Sequence, residues 1–229
     1  KNSILNTNPY AGSQWNSITL EIEYLNTLTS YNSNEMFIKE NPNGSNWYED
    51  NLGDYRLMIH SEAIGSAGES TLEYDLAGNP RLNSMGNNSD LGCYEHPLDS
   101  TITGQTTLYI SPLGSDSLGM GSENSPFASL LHASYNILDY DTIRIFPGNY
   151  SNLGNILIEN NYISIEGLSN NNSDIFIDGD ISLLYNYNQI ENMTISGTLG
   201  VTNSEVNNFS ANSITINNGT FSGSNNNIS

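Results

Sequence analysis

"TIRIF" (Thr142–Phe146), "NILIE" (Asn155–Glu159), "YISIEG" (Tyr162–Gly167), "DIFIDG" (Asp174–Gly179) and "SITIN" (Ser213–Asn217) decide how this chain folds. In each run aliphatic residues alternate with polar ones, and Gly, Asn or Ser closes the run, which is the pattern of a short half-buried strand. The intervening turns are too brief to hold helices, so the chain from Tyr140 onward is expected to be all-β. Alternation alone suits an antiparallel sandwich as well as a stack of parallel coils.

Self-similarity separates the two. "IENMTISG" (Ile190–Gly197), "EVNNFSAN" (Glu205–Asn212) and "INNGTFSG" (Ile216–Gly223) repeat an apolar residue, an Asn-containing step and a Thr/Phe/Ile-Ser-Gly-like close. A unit this small cannot bury its own apolar face, so such units must stack. Stacking predicts aliphatic columns inside and Asn ladders at the bends, where the amide bonds the neighbouring level and tolerates left-handed backbone angles.

Composition narrows the class of partner. The 229 residues carry 25 acidic side chains against 5 Lys and Arg, a net charge of −20, with 36% hydrophobic residues. That content is enough for a core. The charge repels nucleic acid and anionic membranes, and neither is expected as a partner. No apolar run approaches the length of a bilayer span, so no membrane insertion is expected in this segment. The single cysteine, Cys93, excludes an intramolecular disulfide and reads as a packed thiol. An acidic, Lys-poor surface rich in Asn, Ser and Thr suits an extracellular or cell-surface protein.

Between the strands "TLYIS" (Thr107–Ser111) and "TIRIF", the stretch "SPFASLLHASYNIL" (Ser125–Leu138) reads as an amphipathic cap helix. Ser125 is placed as its N-cap and Pro126 at its first turn, while Phe127, Leu130, Leu131, Ser134, Ile137 and Leu138 form one face at helical spacing. His132 lies within it, with no second His or Cys spaced to join it in binding a metal.

The full run "LYISPLGSDSLGMGSENSPFASLLHASYNILDYDTIRIFPGNY" (Leu108–Tyr150) resembles the opening of secreted bacterial right-handed parallel β-helix proteins: a strand, a Gly/Ser/Asp loop, an "SPF" helix and a "D-T-I-x-x-x-P-G-x-Y" strand. Some polysaccharide lyases and many large surface proteins begin this way. "DYRLMIHSEAIGSAG" (Asp54–Gly68), "YDLAGNPRLN" (Tyr74–Asn83) and "SDLGCYEHP" (Ser89–Pro97) resemble, in the same order, the closing segment of those proteins, with Glu62, Gly65 and Cys93 replacing the usual Pro, Asp and Ala. "NSILNTNPY" and "EMFIKENPNGSNWYEDNLGDYRL" fit a final coil followed by a long outward excursion. The resemblance implies an all-β right-handed parallel β-helix, or solenoid, with the C-terminal end of one β-helix (residues 1–97) joined by a linker (98–105) to the capped N-terminal start of a second (106–229, cap helix near 125–138).

Three functions compete on such a body. A lyase needs a Lys or Arg base beside a carboxylate-bearing sugar, yet no Lys, Arg or His follows Arg144. A glycoside hydrolase needs paired carboxylates, for which Asp174, Asp178 and Asp180 in "SDIFIDGDIS" form the one tight acidic group; the same three residues are the candidate ligands of a weak Ca²⁺ site, with a solvated acidic face as the plain reading. The third function is structural: an adhesin-like stalk, surface-layer element or fibre subunit without catalytic activity. That is the expectation here, with a carbohydrate-binding or carbohydrate-cleaving protein at the cell exterior as the alternative. The expected partners are neighbouring copies of the chain, added head-to-tail, and cell-surface glycans.

Overall fold

The protein is represented by a computed structural model that describes residues 3–4, 27–28, 37–39, 54–67, 72–81, 88–211, 213–217, 220–222 and 227–228. The chain divides into two compact units, Lys1–Ile102 and Thr103–Ser229. The expected final coil and excursion over "NSILNTNPY" and "EMFIKENPNGSNWYEDNLGDYRL" fall mainly outside the described residues.

In the first unit β1 (Ser3–Ile4) pairs in parallel with β2 (Thr27–Leu28), and β3 (Phe37–Lys39) pairs antiparallel with β4 (Asp54–Leu57). After β4 the chain makes successive turns through residue 67. Leu57, Ala63, Ile64, Ala67 and Leu91 form a small core, against which Phe37 and Leu98 pack. The 88–102 stretch is laced to those turns by backbone bonds: Ala67 N to Ser89 O (2.8 Å), Leu91 N to Ala63 O (2.9 Å) and Ile102 N to Ile59 O (2.9 Å). Cys93 is exposed rather than packed.

The second unit is one 11-stranded sheet in which every described pairing is parallel. One ladder runs through β5 (Thr107–Ile110), β6 (Thr142–Ile145), β8 (Ser164–Gly167), β10 (Gln189–Ile195), β12 (Glu205–Ala211) and β14 (Thr220–Ser222). A second runs through β7 (Gly148–Ile158), β9 (Ile175–Leu183), β11 (Thr198–Thr202) and β13 (Ser213–Asn217). The two meet where Phe176 and Ile177 of β9 pair with Thr194 and Ile195 of β10, and β15 (Asn227–Ile228) pairs with the end of β12.

The expected β-helix, the end of one joined to the start of another, is therefore corrected. The strands join in a branched, open, mostly parallel sheet that does not close into a solenoid, and the described strands of the first unit form only two-stranded sheets, one of them antiparallel. The physical reason is specific. Period-2 alternation fixes which side chains face inward and favours an in-register aliphatic row, but it carries no information about whether successive strands wrap around to close.

The rows themselves are regular. Leu108, Ile143, Ile165, Ile190 and Val206 lie opposite one another along the first ladder, and Ile156, Ile181 and Leu199 along the second. All are buried. Each such side chain contributes about 1.5–3 kcal/mol of transfer free energy, so the rows dominate the stability of this unit.

The outer edge of β5 is covered by the chain's own loop: Tyr109 N donates to Gly121 O (2.7 Å), Phe127 N to Tyr109 O (2.9 Å) and Ser111 N to Phe127 O (2.9 Å). This loop shortens the expected cap helix. Ser125 and Phe127 are taken up in bridges, and the helix that follows, α1, spans only Leu130–Tyr135. Its N-cap is Ser129, not Ser125: the Ser129 Oγ accepts from His132 N at 3.0 Å, while the Asp116 carboxylate accepts from Ala128 N, Ser129 N and Ser129 Oγ at 2.7–3.0 Å. Phe127, Leu130, Ser134 and Ile137 of the expected apolar face are buried, whereas Leu131 and Leu138 are half-buried. Among the described residues no helix is long and apolar enough to cross a membrane.

Candidate functional site

The three acidic residues singled out in the sequence sit on β9 and the turn before it. Ile175 and Ile177 point inward, and Phe176 and Asp178 outward. At Gly179 the backbone adopts φ 148°, a conformation that L side chains rarely adopt, and the alternation runs unbroken through it, so Asp180 is also outward while Ile181 and Leu183 lie in the core. Asp174 closes a 3-10 turn (Asn172–Asp174) and accepts from Ser169 Oγ (2.6 Å) and Asn171 Nδ2 (2.9 Å). Asp178 accepts from Ser196 Oγ (2.6 Å), and Asp180 from Thr198 N (2.6 Å). Each carboxylate thus has donors of its own within the protein. Among the described residues no group of three His, Cys, Asp or Glu side chains is placed to hold a metal ion.

A more varied constellation lies on the outward face of the first ladder. Because Leu108, Ile143, Ile165 and Ile190 share one inward row, the residue after each shares an outward row: Tyr109, Arg144, Glu166 and Glu191. Arg144 Nε donates to Glu166 Oε2 (3.2 Å), Arg144 Nη1 to Tyr109 Oη (3.3 Å), and Ser164 Oγ to Glu166 Oε1 (3.0 Å). The hydrogen bond to Tyr109, then that to Glu166 and its charge, hold the guanidinium further above its ordinary value. The Tyr109 ring lies 6.1 Å from that of Phe146, tilted by 32°. An aromatic pair beside an Arg–carboxylate pair offers a flat apolar surface and polar groups together, the combination that sugar rings require. The sequence reading missed this row, although aligning the four short strands on their inward aliphatics would have exposed it.

The third feature is the corner before three strands of that ladder, β6, β8 and β10. Tyr140, Tyr162 and Tyr187 stack as a column, with centroids 4.5 and 4.9 Å apart and planes within 5° and 11° of parallel. All three have positive φ, and each backbone N–H donates to a carbonyl at the next corner: Tyr140 to Asn161, Tyr162 to Asn186, Tyr187 to Asn203. Beside the rings runs a polar ladder, in which Asn161 N bonds Asp139 Oδ1 (2.9 Å), Asn186 N bonds Asn161 Oδ1 (3.2 Å) and Asn203 Nδ2 bonds Asn186 Oδ1 (2.6 Å). Beneath it, buried Asp141 accepts from Thr106 N and Leu138 N. Buried Asn188 accepts from Ile163 N (2.8 Å) and donates to Asn160 O (3.0 Å) and Tyr185 O (3.3 Å). The expected corner amides are present; the aromatic residues in left-handed conformation among them were not anticipated.

No family model matches the chain, and neither a curated protein nor a solved structure matches it.

Proposed function

We propose that this chain is a structural element of an extracellular or cell-surface protein, a stiff stalk or fibre component whose role is mechanical rather than catalytic. The observation that carries this reading is where the polar side chains spend their hydrogen bonds. Asp139, Asn161, Asn186, Asn188, Asp178 and Asp180 each bond the neighbouring strand or corner, so side chains that could serve a ligand instead tie one level to the next. The strongly acidic, Lys-poor surface favours solubility in an exterior setting. Two measurements test it: labelling of the chain on intact native cells by an impermeant reagent, and incubation with neutral and uronate polysaccharides followed by assay for new chain ends. Labelling without cleavage is expected; new chain ends, or labelling only after lysis, would overturn the reading.

A second reading, carbohydrate binding, is favoured by one observation, the Tyr109–Arg144–Glu166 row beside Phe146. A glycan array with the parent and a Tyr109→Ala variant tests it, and saturable binding that the variant loses would favour it over a purely mechanical role.

A further inference from the structure

The first unit contains a buried charge cluster that the mechanical role does not use. Arg81 Nη1 donates to Glu95 Oε1 at 2.9 Å and Nη2 to Gly92 O at 2.7 Å, and both side chains of the Arg81–Glu95 pair are 7% exposed. Asp90, 2% exposed, accepts from Gly65 N (2.7 Å) and His96 N (2.5 Å), and its own N–H donates to both Glu95 oxygens (3.3 and 3.2 Å). Asp75 accepts from Ala77 N, Asn79 N, Asn79 Nδ2 and Glu95 N at 2.7–3.0 Å. These bonds join three pieces of chain, 54–67, 72–81 and 88–102. At Gly65 the first and third come close: at φ +63° its N–H reaches Asp90, and a Cβ there would meet Asp99 O at 2.5 Å.

We propose that this cluster is a proton-dependent clasp: the buried Asp90 and Glu95 carboxyls beside Arg81 take up a proton to hold 88–102 closed over 54–67, and the closure weakens as the pH rises through neutrality. The charge count supports it. Two buried carboxylates, Asp90 and Glu95, share one guanidinium, so full ionisation leaves excess negative charge in a site shielded from water. Burial pushes Asp75 up, but its donors from Glu95, Asn79 and Ala77 outweigh that and hold it below its ordinary value. Burial raises Asp90 to about 6 against the bonds from Gly65 and His96 and the charge of Arg81. Burial, then the Asp90 charge, raises Glu95 to about 7. Groups raised in the folded state contribute stability that is complete below their unfolded values and lost as the pH climbs through the folded ones.

The other titratable groups of these segments are Asp54, paired with Arg56, Glu62, Glu73, Asp99, the exposed Cys93, the phenols of Tyr55, Tyr74 and Tyr94, and the imidazoles of His60 and His96. His60 Nδ1 lies 2.8 Å from Ile102 O, and His96 Nδ1 accepts from Leu98 N at 3.1 Å.

Amide hydrogen exchange on the intact chain tests the proposal, with intrinsic rates corrected for pH. Protection of the Gly65, Ala67, Leu91 and His96 amides is expected to fall at least about tenfold between pH 5 and 8, while the Ile165 and Ile190 amides of the second unit keep theirs. Glu95→Gln, which keeps an acceptor for Arg81 but removes one negative charge, should flatten the dependence. Should that variant fail to fold, carboxyl-carbon titration of the parent by NMR decides, with at least one of Asp90 and Glu95 expected to titrate above pH 5. Protection that is constant with pH, or both carboxyls titrating below pH 5, would overturn the proposal. Neither outcome bears on surface labelling or polysaccharide cleavage, so the mechanical role stands or falls separately.

Discussion

The ring of Tyr162 lies flat against that of Tyr140, centroids 4.5 Å apart and planes 5° from parallel, and both residues hold positive φ, 60° and 75°. A bulky residue in the left-handed region is uncommon and costs energy, so the stack must offset that strain. Tyr162→Ala removes the middle ring while retaining a Cβ, and it should destabilise the second unit by about 1–3 kcal/mol. Tyr162→Asn, which also loses the stack but tolerates the conformation, should cost less. Chemical denaturation of the two variants checks the order.

Asn188 is fully buried and satisfies three backbone groups of three different residues, Ile163, Asn160 and Tyr185. Asn188→Ala should cost about 3 kcal/mol or more, because each orphaned buried group carries its own desolvation penalty of about 1–3 kcal/mol. Asn188→Asp keeps the acceptor and loses both donors. It is expected to be no better, since it also buries a charge. Urea unfolding at fixed pH gives the comparison.

Leu130 and Leu131 are neighbours on α1 with different surroundings, the first fully buried and the second half-buried. Leu130→Asp places an unpaired charge against β5 and β7 and should lower stability by several kcal/mol. Leu131→Asp should cost about 1 kcal/mol or less, because its side chain can turn to water. Thermal melts separate the two, and equal losses would contradict the placement of the helix.

Arg144 and Glu166 are paired with side chains 42% and 32% exposed, so water and salt screen them. Glu166→Gln is expected to cost at most about 0.2–1 kcal/mol, and the difference should vanish near 1 M salt. Melting temperatures across a salt series provide the check.

For the first unit, the signs of the carboxyl shifts fix a pH optimum. Asp75, held below its ordinary value, contributes stability that is present above about pH 4 and lost as the pH falls through its lower folded value. Asp90 and Glu95, raised to about 6 and about 7, contribute stability that is lost as the pH climbs through those values. Unfolding of this unit should therefore be most costly in mild acid, around pH 4 to 5. Denaturation monitored by exchange of its amides across pH 3–8 tests this.

The strands were legible because alternation is a local property. "TIRIF", "YISIEG", "DIFIDG" and "SITIN" each fall in a parallel strand with the aliphatic residues inward wherever burial is described. Closure was not legible, since it depends on the angles of turns between strands, and those turns carry no period. The helix start was misplaced by four residues because Ser125 and Ser129 are equally good caps in isolation; Asp116, thirteen residues upstream, selects Ser129 by bonding it. The Tyr column was hidden because tyrosine is a poor choice for positive φ when judged alone, and only the rings above and below it explain its use. The acidic trio of β9 and the turn before it is exposed, but which donors Asp178 and Asp180 meet depends on Ser196, in the turn after β10, and Thr198 of β11.

The parallel register sets a counting rule for how this chain can change in length. Thr142, Ser164, Gln189, Glu205 and Thr220 stand opposite one another although the stretches between them differ in length, the difference being absorbed in the segments that lie between these strands. Removing a whole pass such as 164–188 would bring Thr142 opposite Gln189 and Ile143 opposite Ile190 and leave Tyr140 beside Tyr162, so the new neighbours would still match. Removing one residue from within β8 or β10 would instead turn every following side chain of that strand to the wrong face. Such a chain lengthens or shortens by whole passes at little cost, and point insertions are tolerated only where it bends.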